Sequence, residues 1–385
     1  GIEASLRRLT HYDYWDDCLK PSILVDSKAD YLVYGMAERA MVDLATAISQ
    51  QKSQEEICQI PQIAYLTHKL DTPVEIELAS HQQCLQSKKA QAANFKLFEE
   101  ESNRYASTNR IGQIIDEKKV IINPPYPLIT TEQLDALYDL PYTRKPHPRY
   151  KGKTIPAYEM IKHSVTMHRG CFGGCAFCTI SAHQGKFISS RSKESILREI
   201  EKISQDDTFK GYLSDLGGPS ANMYGLGGKD KELCLKCKRP TCLHPAICKN
   251  LDTNHAPLIG LYRQVRSLPY IKKATIGSGI RYDLATPEYL KEVVEHHVSG
   301  RLKVAPEHTS DQVLYMMRKP SFELFHKFKE IFEKINQKNQ LNQQIIPYFI
   351  SSHPGCLLAD MAELAVETKS LNFQLEQVQD FTPTP

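Results

Sequence analysis

Seven of the eleven cysteines fall in two short clusters, Cys171 to Cys178 and Cys234 to Cys248, and this spacing restricts what the chain can fold around. The first is a C-x3-C-x2-C triplet, Cys171-Phe-Gly-Gly-Cys175-Ala-Phe-Cys178. Thiolates are the usual ligands of iron–sulfur clusters, and four would close a [4Fe–4S] cube. Three leave one iron open to a chelating substrate. Gly173 and Gly174 let the backbone fold tightly around a bulky inorganic group. A structural zinc site takes four ligands, typically from paired C-x2-C arms, and fits a three-cysteine array poorly.

The second cluster, Cys234, Cys237, Cys242 and Cys248, is a C-x2-C-x4-C-x5-C array. Four thiolates satisfy either a complete auxiliary iron–sulfur cluster or a structural zinc, and the reading inclines to iron–sulfur. His244 is a further donor. Lys231, Lys236, Lys238, Arg239 and Lys249 surround the array and would offset its charge.

Tight cysteine clusters in a 385-residue chain argue for metal sites in a reducing compartment, here the cytoplasm, rather than a disulfide framework. No apolar run approaches the ~20 residues that cross a bilayer. The opening GIEASLRRLT has no signal-peptide core, and both ends read as cut. A net charge of +3 neither demands nor excludes nucleic acid.

Along the chain, residues 1–140 read as an α/β region, probable strands being SILVD (22–26) and YLVYG (31–35). A helix presenting Met41, Leu44, Ala45 and Ile48 follows, then a long polar helix over 80–104 and the extended VIINPPYPLIT (120–130). Residues 141–160 form a proline-rich basic linker. Its Arg144, Lys145, Arg149, Lys151 and Lys153, interleaved with Tyr142 and Tyr150, read as a solvated connector in preference to a nucleic-acid contact. His11, Tyr12, Tyr14 and Trp15 are expected to pack the first region against the second.

From 161 to 385, strands and helices alternate. The strands are SVTMHRG (164–170), GYLSDLGG (211–218), ATIGSG (274–279), RLKVAPE (301–307), IIPYFIS (345–351) and NFQLEQV (372–378). The helices include one capped by Ser192 that buries Ile196, Leu197, Ile200 and Ile203, one through Leu258, Leu261 and Val265, and one carrying Leu324, Phe328, Ile331 and Ile335. Such alternation predicts a parallel sheet with covering helices, here a partial (β/α)6 barrel. The second cysteine cluster interrupts it as an insertion at about 230–250.

The triplet matches the radical S-adenosylmethionine (SAM) signature, including the aromatic Phe177 before the last cysteine. With GIEASLRR, HYDYW, HRGCFGGCAFC, GGPSANMYG, SGIRYD, KVAPEH and DFTPTP, the whole chain resembles the YgiQ-type radical SAM family. The resemblance implies a barrel preceded by the last portion of a cobalamin-binding-like α/β domain, although no D-x-H-x-x-G motif for a cobalt ligand occurs. It implies a [4Fe–4S] cluster held by Cys171, Cys175 and Cys178, and SAM chelating the open iron. Reductive cleavage of SAM would then give a 5′-deoxyadenosyl radical, with flavodoxin or ferredoxin as electron donor.

It also implies a set of SAM contacts. Gly217 and Gly218 stand where a Gly-Gly-Glu motif usually binds the methionyl amino group, with Pro219 replacing the glutamate. Ser278 and Arg281 are expected at the SAM carboxylate, with a salt bridge to Asp283 as the alternative for Arg281. Lys303, Glu307 and His308 lie at the end of the fourth strand, where Glu307 would bind ribose or substrate and His308 would move protons. Ser351, Ser352 and His353 are expected at adenine, and Gly355 allows close approach. An iron–sulfur electron carrier and a zinc-dependent nucleic-acid-binding module are the alternative functions. A carrier needs no barrel, and neither the substrate nor the final reaction is legible.

Overall fold

The computed structural model describes residues 2–373 and 375–384. Gly1, Gln374 and Pro385, which fall within the GIEASLRR, NFQLEQV and DFTPTP runs, lie outside them. The molecule is an α/β structure built on two sets of strands.

The first set is a five-stranded sheet in the order Tyr31–Val33, Ile63–Thr67, Lys118–Ile122, Ile111–Ile115, Ile76–Leu78. Only the last pairing is parallel. This differs from the expected α/β remnant, because hairpin-like returns such as 115–118 favour antiparallel pairing. SILVD is not a strand. Ser22 accepts a hydrogen bond from the Leu24 amide and starts the helix Ile23–Ser27. The helix Glu38–Ser49 buries Ala40, Leu44 and Ala47, whereas Met41 and Ile48 are exposed. The polar helix divides into His81–Gln86 and Lys88–Ser102, because Ser87 adopts an extended conformation and caps the second piece.

The second set runs in parallel through the rest of the chain. Ser164–Thr166 pairs with Asp215–Gly217, and Tyr212–Leu213 with Lys273–Ala274. Ile280 bridges to Val304. Arg301–Glu307 pairs with Gln344–Ser351, which pairs with Gln377–Asp380. Sequence order equals spatial order throughout, the arrangement that crossover helices produce. No closed barrel forms among the described residues, and the 274–279 run is strand only at Lys273–Ala274. Ser192 caps Lys193–Ser204 as expected, with Ile196, Ile200 and Ile203 buried. In Phe322–Lys338 the buried stripe is Phe322, Phe325, Phe328 and Phe332, and Leu324 and Ile331 face outward. The aromatic stripe wins because it buries more apolar area per residue.

Several contacts join the two sets. Ser5 Oγ meets His183 Nδ1 at 2.8 Å, Arg169 pairs with Glu38 at 2.7 Å, and Arg318 with Glu99 at 2.6 Å. Trp15 takes no part, being 81% exposed, while His11 of the same cluster is buried. The linker's Arg144 is engaged with Glu199 and the Ser164 carbonyl, which favours a connector role. No helix of the described residues is long and apolar enough to cross a membrane.

Arg191 is a fully buried cation of this scaffold. Its guanidinium reaches the Thr166 carbonyl, Ser195 and Glu199. Arg191→Met leaves two interior carbonyls without a donor and takes from Glu199 one of its two arginine partners, and is expected to lower unfolding stability by about 2 kcal/mol or more. Arg198→Met removes an exposed pair with Asp139 and is expected to cost about 0.5 kcal/mol or less. Denaturant titration of both variants checks the contrast.

Candidate metal and cofactor site

The cysteine loop begins where the strand Ser164–Thr166 and the short strand His168–Arg169 end. The Cys171 amide donates to the Gly185 carbonyl at 3.0 Å and the Cys178 amide to the Cys175 carbonyl at 3.1 Å, curling the loop. Gly174 has φ +55, and a Cβ there would lie 2.3 Å from the Pro240 carbonyl oxygen. A Cβ on Gly173 would sit 3.2 Å from Cys171 Sγ and 3.4 Å from Arg281 Nη1. Gly174 is therefore required by close approach and by its positive φ, while Gly173 keeps the space between Cys171 and Arg281 tight.

The three thiols act on one another electrostatically. Burial pushes the Cys171 thiol up to about 12, with Cys175 adding to the shift. Burial also raises Cys178. Such thiols remain protonated until a cation beside the sulfur displaces the proton. Among the described residues no three His, Cys, Asp or Glu side chains converge as tightly as a single metal ion requires. A cube makes a different demand, since each thiolate binds its own iron. Three mutually close thiols on a glycine cradle fit that demand.

Arg281 stands against this loop. Its Nη1 is 3.4 Å from Cys175 Sγ, while Nε and Nη2 donate to Asp283 at 2.8 and 2.6 Å. Burial works against its charge, but Asp283 and then Cys175 hold its pKa above the ordinary arginine value. The salt-bridge alternative is thus realised, and Nη1 remains turned to the cysteines. Asn222 fixes the Arg281 backbone at both ends, accepting from its amide and donating to its carbonyl, each at 2.8 Å.

The Gly-Gly pair is built differently from the expectation. The Gly217 carbonyl already accepts the Met167 amide at 2.7 Å, and a Cβ on Gly217 would lie 2.0 Å from Ser278 Oγ. Gly218 makes room for the His168 ring, 2.4 Å from where its Cβ would be. Ser278 is tied to Asp215, whose Oδ1 accepts from the Gly277 and Ser278 amides and from Ser278 Oγ. Burial raises the Asp215 pKa despite these bonds, and Lys303 opposes the shift.

Glu307 ends its strand at a register shift, with φ +73. It is buried, Lys319 Nζ is 3.5 Å from Oε1, and Oε2 has no partner among the described residues. Burial raises its pKa, opposed by Lys319. His308 is fully buried, accepts from the Ser310 amide at Nδ1, and meets Cys356 Sγ at 3.5 Å through Nε2. Both ring nitrogens are engaged, which makes it structural. His353 stacks edge-on with Phe177 and with Phe381, at centroid distances of 6.4 and 4.9 Å. Ser351 Oγ donates to Asp380. A Cβ on Gly355 would collide with Met316, so that glycine serves packing.

The second cysteine set lies beside the first. The Cys242 amide donates to the Phe172 carbonyl at 3.0 Å, and Phe172 shares an apolar cluster with Leu243 and Leu251. Burial pushes Cys242 up to about 11, and Cys248, Cys237 and Cys234 add to the shift. Their cation comes from outside the insertion. Lys186 is buried, with Nζ 2.6 Å from the Arg239 carbonyl and 3.7 Å from Cys237 Sγ. Lys231, Lys236, Lys238 and Lys249 are exposed, and Arg239 staples the His244 and Ala246 carbonyls. His244 stacks on Tyr315 instead of joining the thiols.

Sequence reasoning missed Asp215, His168, Asn222, Lys186 and Asp380. Asp215 and His168 could have been noticed as polar residues inside apolar strand runs; nothing local singles out Lys186.

A family model described as radical SAM N-terminal matches residues 1–164. UPF0313 proteins of Bacteroides thetaiotaomicron, Porphyromonas gingivalis and Methanocella arvoryzae are 59%, 56% and 47% identical to the whole chain. The chain spans 66%, 63% and 64% of their respective lengths, less than two thirds of each. The radical SAM methyltransferase TsrM of Kitasatospora setae, solved with tryptophan substrate and a SAM analog, matches with a TM-score of 0.53 at 12% identity. That match covers 99% of this chain and 54% of the other, and at such identity it speaks for the fold alone. The family-model match and the relatives, added to the cysteine loop and its glycine cradle, show that the chain belongs to the radical SAM superfamily and, within it, to the YgiQ-type UPF0313 proteins.

Proposed function

We propose that the chain carries the catalytic part of a cytoplasmic radical SAM enzyme, with Cys171, Cys175 and Cys178 as the cluster ligands. The observation that carries this reading is the glycine cradle on which the three neighbouring thiols sit. A [4Fe–4S] cluster held there, with one iron free for SAM, would supply the electron that cleaves the sulfonium C–S bond to methionine and a hydrogen-abstracting 5′-deoxyadenosyl radical.

The chain's own residues take supporting parts. The Arg281 guanidinium, fixed by Asp283 and Asn222, offers Nη1 beside Cys175 and offsets the negative charge of the thiolates. Glu307 offers an unpartnered carboxylate oxygen for a ribose hydroxyl or for substrate. Phe177, His353 and Phe381 form the aromatic wall suited to adenine. Lys303 and Ser278 act through Asp215. We read the parallel array as a partial (β/α)6 barrel over 161–385, preceded by a region over 1–140 and a linker over 141–160. The Cys234, Cys237, Cys242 and Cys248 set is read as an auxiliary iron–sulfur site beside Lys186. A flavodoxin or ferredoxin would deliver the electron.

Anaerobically reconstituted protein, given dithionite and SAM, is expected to release 5′-deoxyadenosine. Alanine at Cys171, Cys175 or Cys178 is expected to abolish that release, while Cys237→Ala retains most of it. An electron carrier would release none, and zinc without iron or sulfide would favour a zinc module.

Gly174→Ala places a methyl against the Pro240 carbonyl at a positive φ, so it is expected to disturb both cysteine loops together. Iron and sulfide content per chain should fall at both sets in that variant. Loss confined to one set would show that the loops are independent.

A further inference from the structure

A cavity of about 520 Å³ lies between the first sheet region and the segment Ser181–Phe187 that follows the cysteine loop. Four arginines line it, and three of them have carboxylate partners. Arg39 faces Asp43, Arg104 faces Glu101, and Arg169 faces Glu38. Arg8 has none among the described residues. Its side chain is 4% exposed, its Nε donates to the Ser5 carbonyl at 2.7 Å, and its guanidinium lies between two rings. The guanidinium carbon is 3.9 Å from the Tyr34 centroid and 4.7 Å from that of Phe98. Burial lowers its pKa to about 10, and Tyr34 opposes the shift.

A buried charge is costly unless paired, and two rings offset this one without supplying a counter-charge. The remaining walls include Tyr105, Tyr126 and Leu128, which suit an apolar or flat body. A second cavity of about 350 Å³ adjoins the first and shares Met36, Arg169 and Gln184 with it. It is lined by Asp215, Gly218 and His168, whose ring is fully buried with both nitrogens unpartnered among the described residues. The two cavities therefore lie side by side between Arg8 and the parallel strands beside the cysteine loop, with those three side chains common to both linings.

We propose that the larger of these two cavities binds a small organic anion with a flat ring system, its carboxylate, phosphate or sulfonate on Arg8, as the substrate of the radical chemistry. The substrate role rests on the function proposed above; the anion site stands on Arg8 and the cavity.

The test uses two fluorescent probes with the same body on the reconstituted protein, 8-anilinonaphthalene-1-sulfonate and its uncharged counterpart N-phenyl-1-naphthylamine. The sulfonate is expected to bind about tenfold tighter or more, the scale of a hydrogen bond to a charged group. Arg8→Met should remove that difference and Arg8→Lys should restore part of it. Equal binding of the two dyes to the unaltered chain, or an unchanged sulfonate affinity in Arg8→Met, overturns the proposal. Should Arg8→Met not fold, competition on the unaltered chain decides. Displacement of the sulfonate by 1-naphthoate but not by 1-naphthalenemethanol supports the site, and equal displacement by both overturns it. Dye binding needs neither reductant nor SAM, so its failure is separable from a failure to release 5′-deoxyadenosine.

Discussion

The backbone contact between the two cysteine loops is the constraint from which the site's shape follows. The Phe172 carbonyl accepts the Cys242 amide, and Gly174 turns through a positive φ against the Pro240 carbonyl. Neither loop could be moved outward without breaking that hydrogen bond and opening the apolar cluster of Phe172, Leu243 and Leu251. Phe172 and Gly174 flank Gly173, whose open side faces Cys171 and Arg281. Holding the loop from behind thus leaves its thiols presented forward.

Charge is arranged around this clasp with little redundancy. Arg281 serves the first set of thiols and Lys186 approaches the second. Both are anchored by other bonds, Arg281 by Asp283 and Asn222, Lys186 by the Arg239 carbonyl. A buried cation held by neutral or paired groups keeps its position whether or not the neighbouring sulfurs are ionised. That is preorganisation, which lowers the cost of creating negative charge nearby.

The seam between the first sheet region and the parallel strands adds the remaining element. Ser5 with His183, Glu38 with Arg169 and Glu99 with Arg318 tie three different segments of the first region to the surroundings of the cysteine loop. The seam is bonded at these points and hollow between them. The cavity wall from Ser181 to Phe187 is also the segment whose Gly185 carbonyl holds the Cys171 amide. A ligand in the seam would therefore touch the same backbone that shapes the cysteine loop.

Local pattern was enough for the cysteine spacing, for the strand Arg301–Glu307 and for the helix capped by Ser192, because ligand spacing, apolar alternation and capping are set by residues close in sequence. It misplaced SILVD, where an apolar run of strand length is capped by Ser22 into a helix, and it selected the wrong face of Phe322–Lys338. Nor does local pattern show that a Cβ on Gly217, Gly218 or Gly355 would meet Ser278, His168 or Met316. The sequence alone determined which atoms are available for metal chemistry, since three cysteines seven residues apart must share one loop. Only the tertiary structure decided which charges meet them and where a substrate could lie. Arg281, Lys186 and Arg8 come from distant parts of the chain, and long-range packing, which no local pattern encodes, sets their distances to the sulfurs and to the cavity.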